Sequence, residues 1–217
     1  MTQSDAPPRG AFIVFEGADR AGKSTQCAML VDHLKSQGID AELWNFPDRT
    51  TAIGKMINSY LTSKSDIDDA AVHLLFSANR WEKRETLLNK LAAGTTLVVD
   101  RYAYSGVAFT AAKAVPGFDI AWCKSPDKGL PAPDAVFFLN LSAEAAAARG
   151  GFGEERYERP AFQEAVLKQF EALQGPEWKV VDASRGIDEI QNELREAASE
   201  VVSKCKAGGV PVPHLWA

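Results

Sequence analysis

Short apolar runs alternate along the chain with longer stretches in which apolar residues recur every three or four positions. The short runs have the length and composition of buried strands. They are Ala11–Phe15, Ala41–Trp44, Thr96–Val99, Ala135–Leu141 and Lys179–Val181. The longer stretches are typical of helices, and their place between the runs favours parallel strands joined by helical crossovers. The pattern predicts an α/β fold with a parallel five-stranded sheet and helices on both faces.

Local capping signals set the expected bounds of the helices. Ser142 can cap a short alanine-rich helix, and Pro160 suits the first turn of a helix that continues to Leu173. The other predicted helices are Ser24–Gln37, Ile53–Leu61, one long helix over Asp68–Leu91, Tyr102–Lys113 and Ile187–Lys206. No linker or repeat divides the chain, so we predict a single domain over residues 1–217, with residues 1–10 as a flexible lead-in.

Composition and charge narrow the class of protein. The chain has 217 residues, of which 46% are hydrophobic, and this is enough for one full core. Its net charge of −5 argues against a general binder of nucleic acid or membrane surfaces. Its three cysteines and three histidines have neither CxxC nor zinc-ligand spacing. With no apolar signal segment, we expect a soluble intracellular protein of the cytoplasm, or also of the nucleus.

The residues after the first predicted strand carry the most specific motif. Gly17–Thr25 (GADRAGKST) matches the phosphate-binding loop, or P-loop, G-x-x-x-x-G-K-[ST], between a strand and a helix. Its glycines let backbone amides turn towards phosphate oxygens, and the helix N-terminus adds positive potential. Lys23 should reach the β- and γ-phosphates of a nucleotide, and the Ser24 hydroxyl should ligate Mg²⁺. The motif predicts a sheet of the P-loop NTPase type.

A carboxylate follows the third predicted strand. Asp100 comes directly after the apolar run Thr96–Val99, so it would lie beside the P-loop and serve Mg²⁺ directly or through water. A D-x-x-G motif is absent at this position, and N-K-x-D is absent from the whole chain. The sequence therefore argues against a GTPase.

Further candidates lie after the second predicted strand and on the long predicted helix. Pro47 fixes the loop from which Arg49 projects over the cleft, although a surface ion pair would explain Arg49 as well. Phe76 and Arg80 share a helix face and suit a planar base, which a ring can stack on and a guanidinium can hydrogen-bond. A core phenylalanine beside a salt-bridged arginine fits these two residues equally well.

Glycines and arginines are concentrated near residue 150. Residues 149–159 (RGGFGEERYER) combine three glycines with three arginines, which suits a lid that closes on phosphate groups. A solvated loop with balanced charge is the alternative. We place the lid at about residues 143–160. After the fifth predicted strand, the loop that ends at Arg185 is able to lie against an adenine.

Taken together and in this order, these motifs point to a family. The chain contains the segments FEGADRAGKST, FPDR, LLFSANRW, LVVDRYAYSGVAFT, GLPAPD, RGGFGEERYE and VDAS. Over nearly its whole length it resembles the thymidylate kinases (dTMP kinases) of the eukaryotic type, which are P-loop nucleoside monophosphate kinases. The resemblance implies transfer of the γ-phosphoryl group of ATP to dTMP, giving dTDP and ADP, with Mg²⁺, in dTTP biosynthesis. It also implies a homodimer formed through helices that include the long one.

The resemblance further assigns each matching residue to a substrate. The ATP site would consist of Arg20, Ala21, Gly22, Lys23, Ser24, Thr25, Arg149 and Arg185. The dTMP site would consist of Asp19, Phe46, Arg49, Phe76, Arg80, Arg101, Ser105, Gly106, Phe109 and Tyr157. The catalytic residues would be Lys23, Arg20, Asp19 and Arg101, and Ser24 and Asp100 would hold Mg²⁺.

Within the implied dTMP site the roles differ. Arg49 and Arg101 would grip the phosphate, while Phe76 would stack on thymine and Arg80 would hydrogen-bond its O4. Phe109 would fill the space of a ribose 2′-hydroxyl. Arg20 would stabilise charge on the transferring group, and the sequence leaves open whether Arg156 of the lid shares that role.

Two alternative functions are left open by the residues themselves. A kinase of another nucleoside monophosphate, such as UMP/CMP or AMP, would need a ribose-tolerant pocket in place of Phe109. A P-loop protein that binds nucleotide as a switch, without catalysis, would have no need of Arg49 and Arg101 converging on a second phosphate. An assay of ADP release with several monophosphates separates the three.

Overall fold

The computed structural model describes residues 6–149 and 155–217, and these contain five parallel strands in one sheet. The strands are β1 (Phe12–Glu16), β2 (Ala41–Asn45), β3 (Thr96–Asp100), β4 (Ala135–Asn140) and β5 (Trp178–Asp182). Their order in the sheet is β2-β3-β1-β4-β5, so the strand that precedes the P-loop is central. The predicted α/β fold and all five predicted strands are confirmed.

The helices connect successive strands, except for the last one, which follows β5, and they cover both faces of the sheet. They are α1 (Lys23–Ser36), α2 (Ala52–Leu61), α3 (Asp69–Trp81), α4 (Arg84–Ala92), α5 (Ala103–Ala111), α6 (Ile120–Lys124), α7 (Ala143–Ala147), α8 (Pro160–Glu171) and α9 (Ile187–Lys206). A 3₁₀ turn, Ser125–Asp127, follows α6 directly. Among the described residues, no helix is both long and apolar enough to cross a membrane.

The central strand β1 is buried along its whole length and divides the core into two halves. Ile13 and Phe15 point to the half that contains α1 and α9. Phe12 and Val14 point to the half that contains α5 and α8. Because both faces of the strand are covered, every position is apolar except the last, Glu16.

The register of the strands brings their carboxyl ends together. Asp100 at the end of β3 lies opposite Phe15 on one side and Asn45 on the other. Glu16 at the end of β1 lies opposite Phe138 of β4. The segments that follow β1, β2 and β3 therefore leave the sheet at one edge, which is where ligands collect in parallel α/β sheets.

The prediction of one continuous helix over Asp68–Leu91 is wrong, because this segment forms two helices, α3 and α4. Lys83 lies at the break, with φ −98° and ψ −8°. Its ammonium pairs with Asp48 at 2.6 Å and lies 5.6 Å from the centre of the Trp44 ring. Both partners belong to β2 or the loop after it, and these tertiary contacts favour the break over a continued helix.

Two further differences concern segments for which we expected no regular packing. Arg9, inside the expected flexible lead-in, is buried and forms two hydrogen bonds with the Asp134 carboxylate, at 2.6 and 2.8 Å. The packed chain thus begins before residue 10, while residues 1–5 lie outside the described residues. Helix α6 and the 3₁₀ turn were not predicted from the periodicity, because each is too short to show one.

Candidate active site

A cavity of about 850 Å³ opens at the carboxyl edge of the sheet. Most of the residues assigned to a site from the sequence line it: Asp19, Arg20, Gly22, Lys23, Ser24, Thr25, Phe46, Arg49, Phe76, Arg80, Asp100, Arg101, Ser105, Gly106, Phe109, Arg149 and Tyr157. Ala21 and Arg185 instead line a smaller neighbouring cavity of about 340 Å³, which shares Gly22, Thr25 and Arg149 with the first. The two cavities therefore adjoin each other at the P-loop.

The P-loop has the conformation that its glycines predict. Gly22 has a φ of 96°, in the left-handed region that favours glycine, and α1 begins at the next residue. Gly17 passes so close to β4 that a Cβ would lie 2.5 Å from the carbonyl oxygen of Leu139. The loop therefore packs against the sheet and directs the N-terminus of α1 at the cavity, as a phosphate site requires.

Lys23 is buried inside the loop. Its ammonium donates hydrogen bonds to the carbonyl oxygens of Ala18 at 2.6 Å and Gly17 at 3.2 Å. Burial, and secondarily the positive charge of Arg101, lowers the pKa of Lys23 to about 8. The negative charge of a phosphate in the loop would oppose both effects and favour the charged form of Lys23.

Ser24 and Asp100 meet at the mouth of the loop. The Ser24 hydroxyl donates a hydrogen bond of 2.5 Å to Asp100 Oδ2. The other carboxylate oxygen, Oδ1, is buried and accepts no hydrogen bond from the described residues. Oxygen donors of this kind fit Mg²⁺. No cluster of three or more His, Cys, Asp or Glu side chains able to hold a metal occurs in residues 6–149 and 155–217, so phosphate oxygens and water would have to complete the coordination.

Arg101 and Asp19 both line the cavity, and they form an ion pair beside the P-loop. The Arg101 guanidinium pairs with the Asp19 carboxylate and donates to Gly17 O and Ser105 Oγ, both at 3.1 Å. It also lies 5.3 Å from the centre of the Phe109 ring. The group is therefore held in one orientation beside the P-loop, at a place where a second anion can meet it.

Glu16 was not predicted as a site residue, and it holds the segment that follows Arg101 in place. Its buried carboxylate accepts hydrogen bonds from the backbone amides of Tyr102 at 2.9 Å and Ser105 at 3.0 Å. The Ser105 hydroxyl adds a third bond of 2.5 Å. Burial raises the pKa of Glu16, although these hydrogen bonds oppose the shift. A charged residue at the end of an otherwise apolar strand was the available signal.

Gln163 of α8 is a second residue that the sequence did not reveal. Its amide accepts from the backbone of Asp19 at 2.9 Å and donates to the Asp19 carboxylate at 2.6 Å. The same nitrogen donates to the carbonyl oxygen of Tyr157 at 2.9 Å. Gln163 is fully buried and thus links the P-loop to the segment 155–159. No local pattern distinguishes it from any other helical glutamine.

The described part of the predicted lid contacts both the P-loop and the loop that follows β2. Glu158 pairs with Arg20 at 2.9 Å, and Glu155 pairs with Arg49 at 2.8 Å. Arg149 donates to the carbonyl oxygens of Arg20 at 2.7 Å and Ala183 at 2.9 Å. Residues 150–154, which include the glycines of the lid prediction, lie outside the described residues.

Two arginines lie further from the centre than the others. Arg156 donates to the carbonyl oxygens of Tyr60 and Ser65 and pairs with Asp66 at 2.6 Å, and it does not line the main cavity. Arg185 pairs with Glu189 at 3.3 Å and with Glu193, and it borders the smaller cavity.

Phe76 and Arg80 belong to α3, and Arg80 lies beside Gly106 of α5 and the 3₁₀ turn. Both line the cavity, but Arg80 is also ion-paired with the buried Asp127 at 2.6 Å. The two interpretations of Arg80, as a base-binding group and as a salt-bridged residue, are therefore compatible. The Phe46–Pro47 peptide is cis, and Phe46, which also lines the cavity, packs against the Tyr102 ring.

Known proteins are similar to this chain in both sequence and fold. The model of the family described as "Thymidylate kinase" matches residues 15–194. Thymidylate kinases of Arabidopsis thaliana and Homo sapiens are each 52% identical, over 99% and 97% of this chain and over 80% and 99% of their own lengths. The solved structure of thymidylate kinase from Candida albicans has a TM-score of 0.83 and 40% identity, covering 91% of this chain and 94% of that one. The chain belongs to the thymidylate kinase family.

Proposed function

We propose that this chain is a dTMP kinase, which transfers the γ-phosphoryl group of ATP to dTMP and releases dTDP and ADP. The observation that carries the proposal is a single cavity with a P-loop at one end and a second set of arginines within it, since only an enzyme with a phosphorylated acceptor needs both. Membership of the family supports the same conclusion.

The chemistry follows from the charges of the substrates. The nucleophile is an oxygen of the dTMP phosphate, which is already ionised at neutral pH, so no strong general base is required. Catalysis then consists of alignment and of stabilising charge on the transferring group. Lys23, Arg20 and the P-loop amides would supply that stabilisation, because Lys23 is held by the Ala18 carbonyl oxygen and Arg20 by Glu158 before the substrates bind.

Ser24 and Asp100 would hold Mg²⁺. When bound, the ion would neutralise charge on the β- and γ-phosphates and orient them. The buried Asp100 Oδ1 supports this assignment, because a carboxylate oxygen without a hydrogen bond is costly unless a cation or its water meets it. The Ser24 hydroxyl would exchange its bond to Asp100 for the ion.

The acceptor site would consist of the lining residues from the P-loop, the loop after β2, α3 and the segment that follows β3. Arg49 and Arg101 would bind the dTMP phosphate, and Asp19 would contact the deoxyribose 3′-hydroxyl and help to place the acceptor. Phe46, Phe76, Arg80, Ser105 and Gly106 would surround thymine. Phe109 packs against the Tyr157 ring at 5.5 Å between centres, and together they would fill the space of a 2′-hydroxyl and border the sugar.

The donor adenine would lie in the smaller cavity, between Arg149 and Arg185, which both border it. The segment at about residues 143–160 would act as the lid, and its contacts with Arg20 and Arg49 support that role. We further propose that residues 1–217 form a single domain, that the chain forms a homodimer, and that it works in the cytoplasm and the nucleus.

An ADP-release assay tests the activity. The protein is incubated with ATP, Mg²⁺ and one of dTMP, dUMP, dCMP, UMP, CMP or AMP, and the diphosphate product is identified by chromatography. We expect dTDP and ADP in equal amounts, with dTMP as the best acceptor. Release of ADP with UMP, CMP or AMP as the best acceptor would indicate another monophosphate kinase, and no acceptor-dependent release would indicate a non-catalytic switch. The Candida albicans relative is described as having broad substrate specificity, so the panel of acceptors matters.

A further inference from the structure

The 3₁₀ turn contains a carboxylate that neither the sequence motifs nor the catalytic scheme uses. Asp127 is completely buried, with no exposed surface, and it lies at the end of that turn. Its carboxylate accepts from Arg80 Nε at 3.0 Å and from Arg80 Nη2 at 2.6 Å, one oxygen for each nitrogen. Two parallel bonds of this kind fix the plane of a guanidinium as well as its position.

Other contacts hold the carboxylate itself. The Ser77 hydroxyl, one turn before Arg80 on α3, donates to Asp127 Oδ1 at 2.7 Å. The Trp81 indole donates to the carbonyl oxygen of Pro126 at 2.7 Å, which ties the 3₁₀ turn to the same helix. The turn and α3 are therefore fastened to each other beside the ion pair as well as through it.

The opposite side of the guanidinium is fixed by Gly106 of α5. A Cβ at this position would lie 2.8 Å from Arg80 Nη2 and 3.2 Å from Nη1, so a larger residue here would displace the guanidinium from its present position. Arg80 is thus confined between a carboxylate and a helix backbone. The part that remains borders the cavity, where Phe76 lies one helical turn away.

Charge supports a base rather than a phosphate as the group that Arg80 meets. The charges of Arg80 and Asp127 cancel inside the core, where a lone guanidinium would attract any anion. The remaining N–H groups can still donate to a neutral carbonyl. An arginine neutralised in this way suits O4 of a pyrimidine and disfavours the exocyclic amine of cytosine, which also donates.

We propose that Asp127 is a positioning residue for base recognition, which sets the preference for thymine over cytosine by fixing the Arg80 guanidinium. The inference depends on the proposed dTMP kinase activity, since Arg80 must face the acceptor base. Asp127 has no surface of its own in the cavity, so it acts only through Arg80.

The test is a double-mutant cycle with Asp127→Asn and Arg80→Ala. Asparagine keeps the shape of the side chain, but its amide nitrogen is a donor facing an arginine that also donates, so one of the two bonds is lost. We expect Asp127→Asn to raise KM for dTMP about tenfold and to lower the dTMP-over-dCMP ratio of kcat/KM about tenfold. kcat with saturating dTMP and KM for ATP should stay within about threefold.

The double variant distinguishes positioning from general support of the fold. If Asp127 acts through Arg80, adding Asp127→Asn to Arg80→Ala should lower the ratio no further. A further fall of the ratio in the double variant overturns the inference, and so does an unchanged ratio in Asp127→Asn. Failure of the proposed function is separate, because it appears in the wild-type protein as the absence of dTDP.

The chain provides a matched control and a milder variant. Asp134 forms an equally close buried pair with Arg9 at the amino edge of the sheet, opposite the edge that carries the cavity, so Asp134→Asn should lower the melting temperature and leave the ratio unchanged. Should Asp127→Asn fail to fold, Ser77→Ala removes one bond to the Asp127 carboxylate and no charge. It should raise KM for dTMP about threefold without changing KM for ATP, and a folded Ser77→Ala enzyme with unchanged KM for dTMP overturns the inference.

Discussion

The two ends of the cavity are built in different ways. The phosphate end, comprising the P-loop, Ser24 and Asp100, comes mainly from one continuous segment whose backbone makes the site. The base end is lined by Phe76, Arg80 and Gly106 of α3 and α5, and Asp127 of the 3₁₀ turn supports it from outside the cavity through an ion pair that spans 47 positions. At the phosphate end Ser24 is exposed while Lys23 is buried, whereas both members of the ion pair at the base end are almost completely buried.

This difference teaches that the two ends should control different kinetic quantities. Groups that meet the transferring phosphoryl stabilise charge that develops in the transition state, so their loss lowers kcat. Groups that contact the base bind the substrate and the transition state equally strongly. Their loss therefore raises KM for the acceptor and changes which acceptor is preferred. The predictions below test that division, beginning with the largest expected effect.

Lys23→Ala should have the largest effect, because it removes the lysine of the phosphate end. The change removes a buried, fixed positive charge, and we expect kcat to fall on the order of 1,000-fold. Steady-state kinetics measures the fall, and thermal denaturation confirms the fold. Lys35→Ala, at an exposed position near the end of the same helix, is the matched control and should be silent. Near-full turnover of Lys23→Ala would contradict the P-loop assignment.

Arg20→Gly should affect the same end. Arg20 has a φ of 63°, a conformation that glycine adopts without strain, so the P-loop backbone should survive the change. We expect kcat to fall on the order of 100-fold with little change in KM for dTMP, because the arginine meets charge in the transition state. A loss confined to KM would instead make Arg20 a ground-state binding residue.

The pH dependence should locate Lys23 in the donor site. With its pKa lowered to about 8 by burial and by Arg101, the ammonium is charged below that pH and loses its proton above it. We therefore expect kcat/KM for ATP to fall about tenfold between pH 7 and pH 9, since this ratio reports the free enzyme. In Lys23→Arg the fall should disappear from the remaining activity, because a guanidinium stays charged. A flat wild-type profile through pH 9 would show that the lysine does not titrate there.

Arg156→Ala should have the smallest effect on kcat, and it tests whether this arginine of the lid takes part in catalysis. Arg156 contacts Tyr60 and Asp66 and not the main cavity, so kcat should stay within about threefold of the wild type. Measured beside Arg20→Gly, it shows which arginine meets the transferring group. A tenfold or larger fall in kcat would mean that Arg156 moves into the cavity when the substrates bind.

The parts of the molecule that follow local rules were predictable from the sequence. Helix α9 has the bounds Ile187–Lys206 that the pattern predicted, and Ser142 caps α7 by accepting from the amide of Ala145. The P-loop was predictable because its residues are contiguous and their chemistry is nearly unique. Asp100 followed from its place after an apolar run.

The rest depends on contacts between distant segments. The division of the long predicted helix follows from the pairing of Lys83 with Asp48, which no helical pattern contains. Gln163 and Asp127 meet their partners only after α8 and the 3₁₀ turn have packed. Arg9 belongs to a polar, proline-containing segment, and its buried partner Asp134 lies 125 positions away. Sequence periodicity reports burial of apolar faces and is silent about buried polar pairs.

The central claim, that the base end selects the acceptor, is tested most directly by kcat/KM for dTMP, dUMP, dCMP and UMP in the wild type and in Arg80→Ala. We predict dTMP above dUMP in the wild type, with dCMP at least about tenfold lower, because the buried donors of Arg80 would lose their acceptor. UMP should also be far behind, because Phe109 crowds a ribose. Arg80→Ala should flatten the preference for thymine over cytosine and leave KM for ATP nearly unchanged. If dCMP or UMP is the best acceptor, or if Arg80→Ala weakens ATP instead of dTMP, the account is wrong.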